Sequence, residues 1–219
     1  MKKITALFAV TALTALFAGA GEIALPAAAD WKKFGADVEV KDKSFTFKPQ
    51  RNYSSIVIPF APQTVAVGSS LTVTFKVKVA GETKLDAAGL RFGFASSSAE
   101  ANKNEGYYFC LGVDTAGFSL YRKNSAPLGQ LGGREPQVIL LKNAKLNFNI
   151  GSNNATEIKL SLERLTDTTA MLKLYVEGEL RFKHELTAES AAKPIDQLML
   201  GIGNTVNAFQ IDNFDLELE

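Results

Sequence analysis

From Leu71 to Val79 every odd position carries an apolar side chain and every even one a Thr or a Lys. A helix would scatter those apolar groups around its circumference. A strand sets them all on one face, so this segment can bury itself only as half of a sheet sandwich. Ile158, Leu160 and Leu162 alternate with Lys159, Ser161 and Glu163 in the same way, as do Leu90, Phe92 and Phe94 with Arg91 and Gly93. Leu172, Leu174 and Val176 lead into Glu177-Gly178, and Leu180 and Phe182 resume the pattern, which predicts a β-hairpin with glycine supplying a positive φ. Further strands are predicted over 44–47, 54–60, 107–113, 117–122, 196–203 and 208–218.

Helical periodicity is nearly absent. Only Thr187 to Lys193, stopped by Pro194, could form a turn or two of helix. Many short strands without intervening helices predict an all-β fold, a two-sheet antiparallel β-sandwich. Its expected core includes Leu71, Val73, Phe75, Val77, Ile158, Leu160, Leu162, Leu172, Leu174 and Leu200. Three polar connections, Ser96 to Glu105, Lys123 to Pro136 and Asn143 to Thr156, are the natural places for recognition.

Residues 1–29 have the pattern of an export signal, which leaves 30–219 as a single β-sandwich domain. Lys2 and Lys3 precede an apolar run, Ile4 to Phe17, that falls short of the ~20 residues needed to span a bilayer. Small-residue cleavage sites follow at Ala18-Gly19-Ala20 and at Ala27-Ala28-Ala29, the second preferred because Pro26 precedes it. No cysteine follows the run, so a lipid-modified anchor is excluded and no stable membrane anchor is expected. The expected location is the periplasm or the extracellular space. Losing Lys2, Lys3 and Glu22 with the leader takes the formal net charge from +1 to zero, which removes the electrostatic basis for nucleic-acid binding. One cysteine and one histidine exclude a zinc cluster and an intrachain disulfide. Cys110, within Tyr107-Tyr108-Phe109-Cys110-Leu111, is expected to be a shielded structural thiol.

The order of these elements resembles the concanavalin A-like lectin/glucanase jelly rolls of the laminin-G-like kind, secreted bacterial type. The resemblance rests on Trp31-Lys32-Lys33-Phe34, the strand Leu71 to Val79 followed by Gly81, Leu90-Arg91-Phe92-Gly93-Phe94 and the meander Tyr107 to Arg122. It also rests on the strand, hairpin and strand from Glu157 to Lys183, and on the closing Phe209-Gln210-Ile211-Asp212-Asn213-Phe214-Asp215-Leu216. It implies a sandwich whose concave sheet and loop rim often bind carbohydrate, with some members hydrolysing glycosides. Fold similarity does not itself transfer an activity.

A glycosidase needs two carboxylates facing each other across a sugar. Asp215, Glu217 and Glu219 share one face of a strand and resemble the acidic triplet of laminarinase-like members. Here, however, the first residue is Asp, the second is Glu, and the triplet closes the sequence, so it reads as a solvent face. Glu177 and Glu179 read as turn solubility, and His184, with no visible nucleophile, as an ordinary structural or surface histidine. Gly201-Ile202-Gly203-Asn204 has no helix after it and reads as a strand end. Sugar binding calls for an aromatic platform with polar partners, and Tyr107, Tyr108, Tyr121, Arg122 and Phe148 supply those types near the long connections. Tyr108, Tyr121, Arg122 and Phe148 are taken as the candidate ligand contacts. Trp31 is expected to pack at an edge and tether the terminus.

In the last strand, Phe209 and Ile211 define one apolar phase and Phe214, Leu216 and Leu218 the other. A β-bulge at Asp212-Asn213 would absorb the slip and let all five face one core. The resemblance implies a structural Ca²⁺ held near Asp212 and Asn213; the simpler and favoured reading is that both satisfy backbone amides. The leading function is an exported, non-catalytic binding module for a glycan or cell-envelope polymer. The alternatives are a hydrolase resembling the 3-keto-disaccharide hydrolase group, and a structural or adhesion domain that binds protein. The first alternative lacks that group's tryptophan-rich segments and has Val176-Glu177-Gly178 in place of its Leu-Asn-Gly-type hairpin.

Overall fold

The computed structural model describes residues 21–35, 37–41, 43–48, 54–80, 89–111, 117–129, 131, 137–145, 154–187, 193–202 and 208–219. In chain order the strands begin with β1 (Gly21–Glu22), β2 (Lys32–Phe34), β3 (Val38–Lys41), β4 (Ser44–Phe47) and β5 (Ser54–Gln63). There follow β6 (Ser70–Ala80), β7 (Leu90–Ser97), β8 (Lys103–Leu111), β9 (Gly117–Pro127) and β10 (Gln137–Lys145). The last are β11 (Thr156–Arg164), β12 (Thr169–Val176), β13 (Glu179–Thr187), β14 (Ile195–Ile202) and β15 (Ala208–Leu218). Among the described residues the only helical element is a 3-10 turn at Ala28–Asp30.

Two antiparallel sheets pack face to face, as the alternation predicts. The eight-stranded sheet runs β13-β12-β11-β6-β15-β4-β3, with β1 also paired to β15. The seven-stranded sheet runs β10-β9-β8-β7-β14-β5-β2. All ten expected core residues are buried between them. Phe75 of β6 meets Phe92 of β7 edge-on at 5.4 Å and stacks on Phe214 of β15 at 6.1 Å, so one ring joins the sheets across the core. Each such side chain contributes about 1.5–3 kcal/mol through removal from water.

The expected bulge is present. The register of β15 against β6 slips between Asp212 and Asp215, Asn213 takes φ +52°, and Phe209, Ile211, Phe214, Leu216 and Leu218 are all buried. On its other edge β15 pairs with β4 over Phe209–Ile211 and with β1 over Glu217–Leu218. The bulge therefore lies where β15 changes partners.

From β1 the chain crosses to the other sheet. Ile23 N donates to Leu216 O at 2.7 Å, and Trp31 Nε1 donates to Pro26 O at 3.1 Å. The Trp31 ring lies 4.9 Å from that of Phe45, after which β2 pairs with β5. Trp31 is the expected tether.

Some expectations change. Thr187 ends β13, and residues 188–192 of the expected helical turn lie outside the described residues, as do residues 1–20 and Phe148. The polar connections are shorter than expected, because β7 continues to Ser97, β8 starts at Lys103 and β9 runs on to Pro127. β10 was not expected. Cys110 is partly exposed, not shielded: it shares its strand phase with Tyr108, on the face turned away from the core between the sheets.

Candidate functional site

The outer face of the seven-stranded sheet is ordered by its register. Met199, Gly93, Tyr108 and Tyr121 form one row across β14, β7, β8 and β9. Gly201, Arg91, Cys110 and Ser119 form the row on one side, and Gln197, Ala95, Gly106 and Lys123 the row on the other. Glycine is required in this grid, since a Cβ on Gly106 would lie 2.6 Å from Ala95 Cα and one on Gly93 would lie 2.7 Å from Tyr108 Cβ.

The rings of Tyr108 and Tyr121 stack with centroids 5.0 Å apart and planes within 7°. Tyr108 is buried at 1% exposure, whereas Tyr121 is half-buried. Tyr121 thus offers an aromatic surface backed by a second ring that cannot move aside.

A strap formed by the chain after β9 folds back over the rest of this face. Lys123 Nζ donates to Pro127 O at 2.6 Å and to Leu128 O at 3.0 Å, and Leu128 N donates to Asn102 O at 3.0 Å. Ser55 Oγ donates to Gly129 O at 2.8 Å, and Arg91 Nη1 donates to Leu131 O. Leu128 and Leu131 pack with Val57, Ala95, Tyr108 and Met199 into a second apolar cluster, separate from the core between the sheets. Two cationic side chains, Lys123 and Arg91, are buried beneath the strap to hold its carbonyls. Burial pushes the Lys123 ammonium down to a pKa of about 7.

Two same-face positions along β8 from Tyr108 lies a polar network, buried at Asn104 and Gln197. Asn104 Nδ2 donates to Gln197 Oε1 and Gln197 Nε2 to Ser97 Oγ, each at 2.7 Å. Asn104 Oδ1 is buried without a hydrogen-bond partner among the described residues.

Of the expected contacts, the fold brings Tyr108 and Tyr121 together. Arg122 has the opposite phase and lines a narrow cleft between the sheets with Phe94, Tyr107 and Leu172, near the Lys193–Glu105 ion pair at 2.5 Å. The acidic triplet occupies the solvent side of the other sheet, where Asp215 pairs with Lys43 at 2.5 Å and Glu219 with Lys159 at 3.2 Å. His184 is half-buried and stacks on Phe182 at 6.2 Å. Glu177, at φ +52° in the predicted hairpin turn, accepts a hydrogen bond from Glu157 N at 2.7 Å through Oε1. Asp212 Oδ1 accepts from Gln210 Nε2 at 3.2 Å, and Asn213 is exposed. Among the described residues no three His, Cys, Asp or Glu side chains converge on a metal position.

Sequence reasoning missed Arg91, Lys123 and the strap. The available signal was phase: Ser119, Tyr121 and Lys123 share one face of β9, which is closed over Lys123 and left half-open at Tyr121.

No protein-family model and no curated protein sequence matches the chain. Its structure is similar to that of the potassium-bound Emp46p carbohydrate recognition domain, with a TM-score of 0.59 and 14% identity over 87% of this chain and 88% of that one. It is similar to the carbohydrate-binding module CBM66 from Bacillus subtilis, with a TM-score of 0.52 and 11% identity over 84% of this chain and 92% of that one. It is also similar to an endo-1,3-beta-glucanase from Streptomyces sioyaensis, with a TM-score of 0.56 and 9% identity over 92% of this chain and 97% of that one. The fold is the concanavalin A-like jelly roll that the order of elements resembles.

Proposed function

We propose that this chain is an exported, non-catalytic binding module for a glycan or cell-envelope polymer, with the ligand seated on the outer face of the seven-stranded sheet beside Tyr121. The observation that carries the reading is the parallel tyrosine pair, one ring buried and the other half-exposed. The C–H face of a pyranose packs on an aromatic surface, and the half-exposed Tyr121 ring, backed by Tyr108, supplies one on this sheet face. The shared fold with carbohydrate recognition domains agrees with this reading. The formal charge, zero for residues 30–219 and −1 for 21–219, gives no support to a nucleic-acid ligand. Among the described residues no helix is long and apolar enough to cross a membrane.

The test is a glycan array on the exported protein, comparing the parent with Tyr121→Ala. Sugar-specific signal that falls at least tenfold in the variant supports the proposal. Release of reducing sugar from a bound polymer would replace it with a hydrolase, and absence of any glycan signal would favour a protein-binding domain.

A further inference from the structure

We propose that the export leader is removed between Ala20 and Gly21, so that Gly21–Ala29 stays as a permanent edge of the sandwich. The inference rests on export, but not on what the module binds.

The sequence offers two small-residue sites, and the fold distinguishes them. A cut after Ala29 would remove β1, whose Gly21 and Glu22 pair in register with Leu218 and Glu217. It would strip Leu216 O of the Ile23 amide and Trp31 Nε1 of the Pro26 carbonyl. Each loss leaves a buried polar group of Leu216 or Trp31 without its protein partner.

The same segment walls a cavity of about 480 Å³ whose other side is Val40, Phe45, Phe214 and Leu216. Residues 22–28 and Trp31 complete its lining. Removing 22–28 while Trp31 stays would open the wall over Phe45, Phe214 and Leu216, all buried at 1%. At the mouth Lys43 Nζ lies 2.7 Å from Glu22 Oε1 and 2.5 Å from Asp215 Oδ1, so the cut would also take away one of its two carboxylates. Ala18-Gly19-Ala20 directly precedes Gly21, the first paired residue among the described residues, and offers the small side chains required one and three positions before the cut. Water adds across the Ala20–Gly21 peptide bond, its hydroxyl going to the Ala20 carbonyl carbon and its proton to the Gly21 nitrogen.

The full precursor is expressed in an exporting bacterium, and the exported protein is analysed by intact mass and N-terminal sequencing. A mature chain beginning at Gly21 is expected. Ala20→Gln should accumulate unprocessed precursor, and Ala29→Gln should leave the Gly21 terminus unchanged. An exported chain beginning at Asp30, or processing blocked by Ala29→Gln and not by Ala20→Gln, would overturn the inference while leaving export standing. Unprocessed parent retained in the cytoplasm would overturn export, and the inference with it.

Discussion

Tyr108 and Tyr121 lie opposite each other on neighbouring strands with their rings 5.0 Å apart, yet only Tyr121 reaches solvent. Stability and recognition are therefore separable within one stacked pair. Tyr108→Ala opens a cavity among Val57, Met199 and Leu128 and is expected to cost about 3–5 kcal/mol, read as a lower urea midpoint. Tyr121→Ala is expected to cost less than half of that while removing most glycan binding.

Lys123 makes stability depend on pH. Its folded pKa, near 7, lies below the unfolded value of about 10.4, so between those limits the unfolded chain binds more protons and stability rises with pH. Below pH 7 both states are protonated and the burial cost is present in full. Raising the pH from 7 to 9.5 is expected to stabilise the parent by about 2–3 kcal/mol relative to Lys123→Met, measured by denaturant titration.

Gly129 and Gly68 should respond differently to alanine. A Cβ on Gly129 would fall within 2.7 Å of three Phe34 carbons, so Gly129→Ala must displace the strap or the ring, at about 1–3 kcal/mol. Gly68 has open space around it and φ +86°, so Gly68→Ala is expected to cost only about 1 kcal/mol of backbone strain. Urea midpoints of the two variants check this.

The bulge is expected to hold by conformation alone. Asn213→Gly should lie within about 0.5 kcal/mol of the parent, and Asn213→Val should lose about 1–2 kcal/mol at φ +52°. A calcium site at Asp212 and Asn213 would instead raise the Tm of EDTA-treated protein on addition of millimolar calcium and lose that rise in Asp212→Ala. No calcium-dependent shift is the expected result.

Cys110, partly exposed beside Arg91 and Ser119 in its row, should react with a maleimide in the native protein within minutes. Labelling only after denaturation would return the thiol to the interior.

What was legible in the sequence followed from phase. Leu71 to Val79 could be nothing but a half-buried strand, and the two apolar phases of β15 required a bulge at Asp212-Asn213. β10 escaped because Val138 to Leu141 is continuously apolar and its register against β9 slips twice, so no alternation marks it. Arg91 and Lys123 escaped for another reason. A charge on the phase away from the core reads as a solvent face, and nothing near Arg91 in sequence announces that Leu131, forty residues on, will cover it. Residue type alone singles out the two tyrosines, and only the register brings their rings together and turns Arg122 the other way.

The position of β15 between β6 and β4 also sets the timing of assembly. The β3–β4 hairpin reaches the eight-stranded sheet only through β15, as does β1, so three strands made early must wait for the most C-terminal one. Such pairings between distant parts of a chain form slowly. The delay leaves the growing polypeptide without a finished eight-stranded sheet until β15 has been made, and a translocation channel that accepts only unfolded chains would find it still threadable.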